Sequence, residues 1–367
     1  FRPWLLWTPL PAGVVTVLCF VDPGLSPGRT LLYAYAVYFV WGMIYTLNDI
    51  PFWALAGAMT RDSAERTRLI TLARVFAMVG TALPVALVPL LAGRLAPENL
   101  GRGYLGAVVV LTAVAVPLMT LAFFGTKERV GASPDKLTLA TTVRVLAVNR
   151  PLQIIVVAGL FNAITLISQS TTIYFVTYNF GDPGLMPLVG GTGVLAVAVG
   201  IGVTPLFTKR FGKVKTVIGS TALSVLAALL FLFVGYESIP TSIAFYGVIY
   251  ALIGPSIVLQ SAMIADSVDY TEWKIGERAE GITFSLQTFL AKINAAVGGL
   301  LGGVLLQAVG YVAGAAQAPE TLRGIFYIMA AAPIVGGVLM VVPYFFYPLN
   351  DARHREIVAE IEARRRN

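Results

Sequence analysis

Apolar runs of about twenty residues recur along this chain, without the two-residue alternation of a lipid-facing β-strand. That length matches a helix crossing the hydrocarbon core of a bilayer. Backbone amides cannot stay unpaired in hydrocarbon, so a helical bundle is the architecture left. Composition agrees: of 367 residues, 57% are hydrophobic and 12% charged, against about 25% charged in a soluble domain. The expected fold class is an all-α polytopic membrane protein.

Ten spans are expected, at 4–21, 30–57, 68–93, 104–124, 151–178, 186–207, 215–235, 240–265, 282–309 and 324–347. The basic residues divide unevenly between the two sides they define. One side carries Arg2, Arg61, Arg66, Arg68, Lys127, Arg129, Lys136, Arg144, Arg150, Lys209, Arg210, Lys213, Lys215, Lys274, Arg278 and the arginines of the tail. The other has Arg29, Arg94, Arg102 and Arg323. Positive charge stays inside, so the richer side is expected to be cytoplasmic, in a plasma (inner) membrane. The net charge of +7 then reflects topology and contact with anionic lipid, and a nucleic-acid partner need not be invoked.

The longest connection on the basic side, 125–150, holds Gly131, Ser133 and Pro134 and separates four spans from six. It sits where a two-half transporter places its linker. The expected organisation is an N-terminal bundle over 1–124 lacking two helices, the linker, a six-helix bundle over 151–347 and a cytoplasmic tail over 348–367. Phe1 is no initiator methionine and no signal-peptide cleavage site follows, which reads as a start inside a longer protein. The tail is polar and could form a short interfacial helix, with no function implied.

Several chemistries are excluded. Cys19 is the single cysteine and His354 the single histidine, so no disulfide framework or metal cluster is expected. No Walker-type glycine loop appears. No nucleophile–base pair is visible, and no cofactor is expected.

Asp49, Arg74 and Lys292 fall inside the apolar spans. A charge at mid-membrane costs about 2.5–3.5 kcal/mol on insertion scales, so such residues tend to face a partner, a wet cavity or a substrate path. Asp49 belongs to the run Tyr45-Thr46-Leu47-Asn48-Asp49-Ile50-Pro51-Phe52-Trp53. Tyr45, Asp49 and Trp53 recur every four residues and share a helical face. A ring that packs on the C–H face of a pyranose, beside a carboxylate that accepts from two hydroxyls, is sugar-site chemistry. Pro51 leaves the Leu47 carbonyl without its helical donor and loosens the helix there. Arg74 lies about 9 Å into its span, where snorkelling competes with a role at Asp49 or a substrate hydroxyl. Lys292 lies near a midplane, with Gln287 and Thr288 about one turn before it. Asn162, Gln169 and Thr172 are weaker signals of the same kind, since such residues commonly bond helix to helix.

Asp266, Asp269 and Glu272 follow at three-residue spacing where a span meets the basic side. The plain reading is a solvated helix end. The sharper one is a gate of salt bridges closed by Arg66, Arg68 or Arg210, each exposed pair worth under about 1 kcal/mol.

The run from Tyr45 to Trp53, the segment from Thr60-Arg61-Asp62 to Arg74, and the stretch from Asp266 to Lys292 resemble the glycoside–pentoside–hexuronide cation symporters. The likeness covers essentially the whole chain. It implies a major facilitator superfamily fold of twelve helices, about ten of them present, and alternating access driven by Na⁺, Li⁺ or H⁺. It further implies sugar-binding positions at Asp49 and Trp53, with Tyr45 and Arg74 beside them, a cation-site position at Thr46, and a lysine near both ligands at Lys292. Arg66, Arg210, Asp266, Asp269 and Arg278 match its inner salt-bridge network. The family's principal cation carboxylates, and a further sugar carboxylate, fall on helices upstream of this sequence. Where melibiose-type members carry an aromatic nine residues before the Asp266 motif, Ile257 stands here, which leaves the glycoside open.

The resulting expectation is a secondary active symporter of a glycoside, pentoside or hexuronide. Its partners would be that small molecule, a coupling cation and the bilayer. Rival readings are a lipid or lysolipid carrier of the same fold and a non-transporting sensor on a transporter scaffold.

Overall fold

The computed structural model describes residues 2–59, 63–129, 139–276 and 280–366; some side chains within these helices, those of Arg66 and Arg74 among them, lie outside the description. The chain divides into two compact units, Phe1–Asp135 and Lys136–Asn367. Among the described residues there is no strand.

The first unit holds α1 (Arg2–Trp7), α2 (Pro9–Leu18), α3 (Pro27–Met59), α4 (Ser63–Leu95) and α5 (Leu100–Gly125). The span expected over 4–21 is the pair α1 and α2, interrupted at Thr8 because Pro9 and Pro11 supply no amide protons. Tight packing uses glycine: a Cβ on Gly103 of α5 would collide with the Ala92 carbonyl of α4. Arg2 secures α1 to α5, its guanidinium 4.6 Å from the Phe123 ring centroid and donating to the Phe123 carbonyl at 2.9 Å.

The second unit holds α6 (Leu139–Val148), α7 (Arg150–Tyr174), α8 (Met186–Phe211), α9 (Lys213–Val234), α10 (Ile239–Ile275), α11 (Glu280–Ala308), α12 (Pro319–Tyr344) and α13 (Asp351–Arg366). A π-turn, Phe175–Asn179, prolongs α7. One buried layer packs Phe175, Phe231, Ile325 and Phe326 together, and another joins Leu152, Val217, Met263 and Tyr344. Between α8 and α10 the backbones touch. Pro255 deprives the Ala251 carbonyl of its helical donor, and a Cβ on Gly200 would run into that carbonyl.

Among the described residues, eight helices are both long and apolar enough to cross a membrane. The remaining two expected spans, 4–21 and 68–93, are also helical, but their apolar stretches among the described residues are shorter, Pro9–Leu18 and Val79–Leu95.

One expected boundary is corrected. The span placed at 240–265 runs on to Ile275, because no glycine or proline occurs between Ala265 and Gly276, whose φ of +75° closes the helix with a bond to the Glu272 carbonyl. At 37 residues, α10 is about 55 Å long, well beyond the roughly 30 Å of hydrocarbon. The tail, expected to be polar and able to form a short helix, is the helix α13. It buries Ile357 and Ile361, with Leu349 just ahead of the helix, against Tyr270, Trp273 and Tyr347.

Candidate functional site

In the first unit the site is a row of aromatic rings ending at a carboxylate on α3. Tyr38, Trp41 and Tyr45 stack in succession, with centroids 5.7 and 5.3 Å apart. Asp49 follows one turn later. Its Oδ1 accepts from the Trp53 indole at 3.1 Å and from the Tyr45 hydroxyl at 3.5 Å, the second at the outer limit of a hydrogen bond. Both donors use one oxygen, and Oδ2 makes no bond to the described residues. Tyr45 is 45% exposed, so its ring presents a face.

The neighbouring helices hold this row in place. Trp41 Nε1 donates to Thr16 Oγ1 on α2 at 3.0 Å, and buried Asn48 donates to Thr8 Oγ1 at 2.7 Å. Thr46 donates its hydroxyl proton to the Gly42 carbonyl at 2.7 Å. The side chain of Arg74 lies outside the described residues.

On α11 in the second unit, Thr288 and Lys292 are exposed, and their four-residue spacing puts them on one face. Gln287 is half-buried and donates to Ser261 Oγ on α10 at 2.6 Å. Asn294, further along, donates to the Gly159 carbonyl at 2.8 Å and ties α11 to α7.

Among the described residues, the acidic motif forms an ion cluster with Lys213 and His354, which the sequence reading did not single out. Asp266, 13% exposed, pairs with Lys213 Nζ at 2.5 Å, and Asp269 Oδ2 meets His354 Nε2 at 3.0 Å. His354 also lies 3.9 Å from Asp266, and Lys213 lies 3.8 Å from Asp351. The pairing expected for Arg210 is absent among the described residues; its guanidinium sits over the Phe211 ring at 5.4 Å. The cause is the unbroken helix: Asp266 and Asp269, three apart on α10, face the first turn of α9 and the first turn of α13. The bases available there are Lys213 and His354. The Arg66 side chain and Arg278 lie outside the described residues.

Beside the cluster, the Tyr347 hydroxyl is buried and makes no hydrogen bond among the described residues. Burial foremost, then the Asp266 carboxylate, pushes its phenol well above the usual range.

Sequence reasoning missed Asn149, Lys213 and His354 as organising residues. Asn149 is fully buried and uses its whole amide. It accepts from Leu152 N at 2.9 Å to cap α7, and donates to Ser267 O and Thr271 Oγ1 of α10, both at 2.8 Å. Its place two residues before Pro151 is a helix-start signal that could have found it. The four-residue step from Ile357 to Ile361 could have found the docked tail.

A bundle of apolar helices carrying an aromatic–carboxylate row and a separate ion cluster defines an integral membrane transport protein. The chain belongs to the MFS/sugar transport protein family, whose model matches residues 1–351. It is 31% identical to the isoprimeverose transporter of Lactiplantibacillus pentosus, over 98% of this chain and 76% of the relative. It is 30% identical to the glucuronide carrier protein homolog of Escherichia coli (strain K12), over 100% of this chain and 81% of the relative. A putative 2,3-dihydroxypropane-1-sulfonate exporter of the same organism is 31% identical over 100% and 80%. These names are those of transporters, carriers and exporters, and by its family the chain is a sugar transporter and not an enzyme.

Proposed function

We propose that this transporter couples a glycoside, pentoside or hexuronide to Na⁺, Li⁺ or H⁺ and moves both by alternating access. The observation that carries the reading is the row on α3. Asp49 offers an oxygen with no donor among the described residues, beside the exposed Tyr45 ring, the pairing a sugar's hydroxyls and C–H face require. The names of the isoprimeverose transporter and the glucuronide carrier homolog support a glycosidic cargo.

In this reading Asp49 accepts from cargo hydroxyls, Trp53 holds the carboxylate, and Tyr45 packs on the ring. Arg74, Lys292, Gln287 and Thr288 add polar contacts, and Thr46 contributes an oxygen to the cation. Asp266 and Asp269 act as gate carboxylates, with Lys213 and His354 as their resting partners. Arg66, Arg210 and Arg278 are the bases that exchange onto them during the cycle. The side bearing these residues, the connection over 125–150 and the tail faces the cytoplasm of an inner membrane. If sugar tightens cation binding, the cation tightens sugar binding by the same factor.

The test is Asp49→Cys in the full-length protein, with glycoside binding measured on purified, folded material. Binding is expected to be abolished, and an unchanged affinity contradicts the assignment. Counterflow of a glycoside panel with and without Na⁺, Li⁺ or a proton gradient identifies cargo and ion.

A further inference from the structure

The turn from α8 into α9 is held by the start of α13. Gly212 passes through it with φ +78°, and the Asp351 carboxylate accepts from Lys213 N at 3.1 Å. A Cβ on Gly212 would stand 2.7 Å from Asp351 Oδ2, so only glycine admits this contact. Grooves of different chemistry lie on either side of it.

One groove, of about 640 Å³, is walled by Lys209 and Arg210 at the end of α8 and by His354 and Arg355 on α13. Lys209, Arg210 and Arg355 are exposed and make no ion pair among the described residues. The acid in the groove, Asp351, is already engaged by Lys213. The other groove, of about 510 Å³, is floored by Phe211, Val214, Ile218 and Phe345, with Lys215 at its edge. Phe211 and Phe345 are exposed there.

Three uncompensated cations converge from two helices beside an apolar trough. A free phosphate or nucleotide would satisfy the cations and leave the trough uncovered. A neutral lipid would cover the trough and leave the cations unpaired. We propose that these two grooves together form a binding site for one anionic phospholipid. Its phosphate lies among Lys209, Arg210 and Arg355, and an acyl chain lies along Ile218 and Phe345. Basic pockets between helix ends are suited to such headgroups. The site lies within the second unit and does not depend on the identity of the cargo.

The experiment is native mass spectrometry of the purified full-length protein, offered phosphatidylglycerol or phosphatidylcholine of identical acyl chains. Retention of phosphatidylglycerol is expected to exceed that of phosphatidylcholine at least fivefold. The triple variant Lys209→Gln, Arg210→Gln, Arg355→Gln is expected to erase that preference, and Ile218→Ser with Phe345→Ser to reduce total retention. The charge-preserving set Lys209→Arg, Arg210→Lys, Arg355→Lys should retain the preference, and Arg323→Gln, elsewhere on the surface, should leave it intact. Equal retention of the two lipids, or a preference that survives the triple variant, overturns the proposal. Displacement of the lipid by millimolar inorganic phosphate also overturns it, because the ligand would then be a free anion.

Discussion

The Trp53 indole donates to Asp49 Oδ1 at 3.1 Å from one helical turn away, so the ring that flanks the carboxylate also aims it. Trp53→Phe keeps an aromatic surface and deletes the donor. A hydrogen bond to a charged acceptor is worth about 1.5–3 kcal/mol, so glycoside affinity should fall about tenfold or more. Tyr45→Phe loses only the 3.5 Å contact and should cost less than about threefold, since the bond is weak at that length. Equilibrium binding to the two purified variants checks the order, and equal losses would refute the aiming role.

Asn149 caps α7 and anchors it to α10 with a single amide. Asn149→Ala should destabilise the detergent-solubilised protein by about 3 kcal/mol, combining a lost cap with orphaned acceptors. Asn149→Asp keeps the acceptor for Leu152 N and loses the donors, so its melting temperature should fall between the two.

Lys213 and Asp266 form a partly buried pair. Lys213→Met leaves the carboxylate without its nearest base and should cost about 2 kcal/mol. Adding Asp266→Leu should recover part of that loss, because an apolar pair no longer strands a charge. Thermal unfolding of both singles and the double completes the cycle; strict additivity would show that the pair contributes nothing.

The buried Tyr347 hydroxyl lacks a partner among the described residues, so Tyr347→Phe should change stability by less than about 0.5 kcal/mol or increase it. The pH dependence has a definite sign. The folded protein holds this phenol proton more tightly than the unfolded chain does, so the unfolded state alone releases it as pH rises past about 10. Stability is therefore lost above that pH in the parent, and the phenylalanine variant should lose less across the same interval. Melting curves from pH 8 to 11 measure the difference.

The helices were legible because hydrocarbon imposes a single rule on every span, and the apolar runs display it directly. The α3 row was legible for a similar reason: Tyr45, Asp49 and Trp53 are local, and four-residue spacing dictates their common face. The ion cluster was not. Which base reaches Asp266 depends on how far α10 continues and where α13 docks, and neither is a property of the acidic motif. The docking was written faintly in Ile357 and Ile361, two apolar residues in a segment whose charges dominate its composition. Asn149 escaped because a polar residue before a helix looks like a solvated loop until the packing of α10 encloses it.

The docked tail also has a practical use. The Trp273 indole donates to Glu360 at 2.6 Å, and Arg364 reaches back to the Trp273 carbonyl at 2.9 Å. Helix α13 is thus bolted to the last turns of α10 and should travel with them as a pointer does with its axle. A spin label or fluorophore at exposed Ala359 would report any movement of those turns, without disturbing a residue proposed to touch sugar or ion.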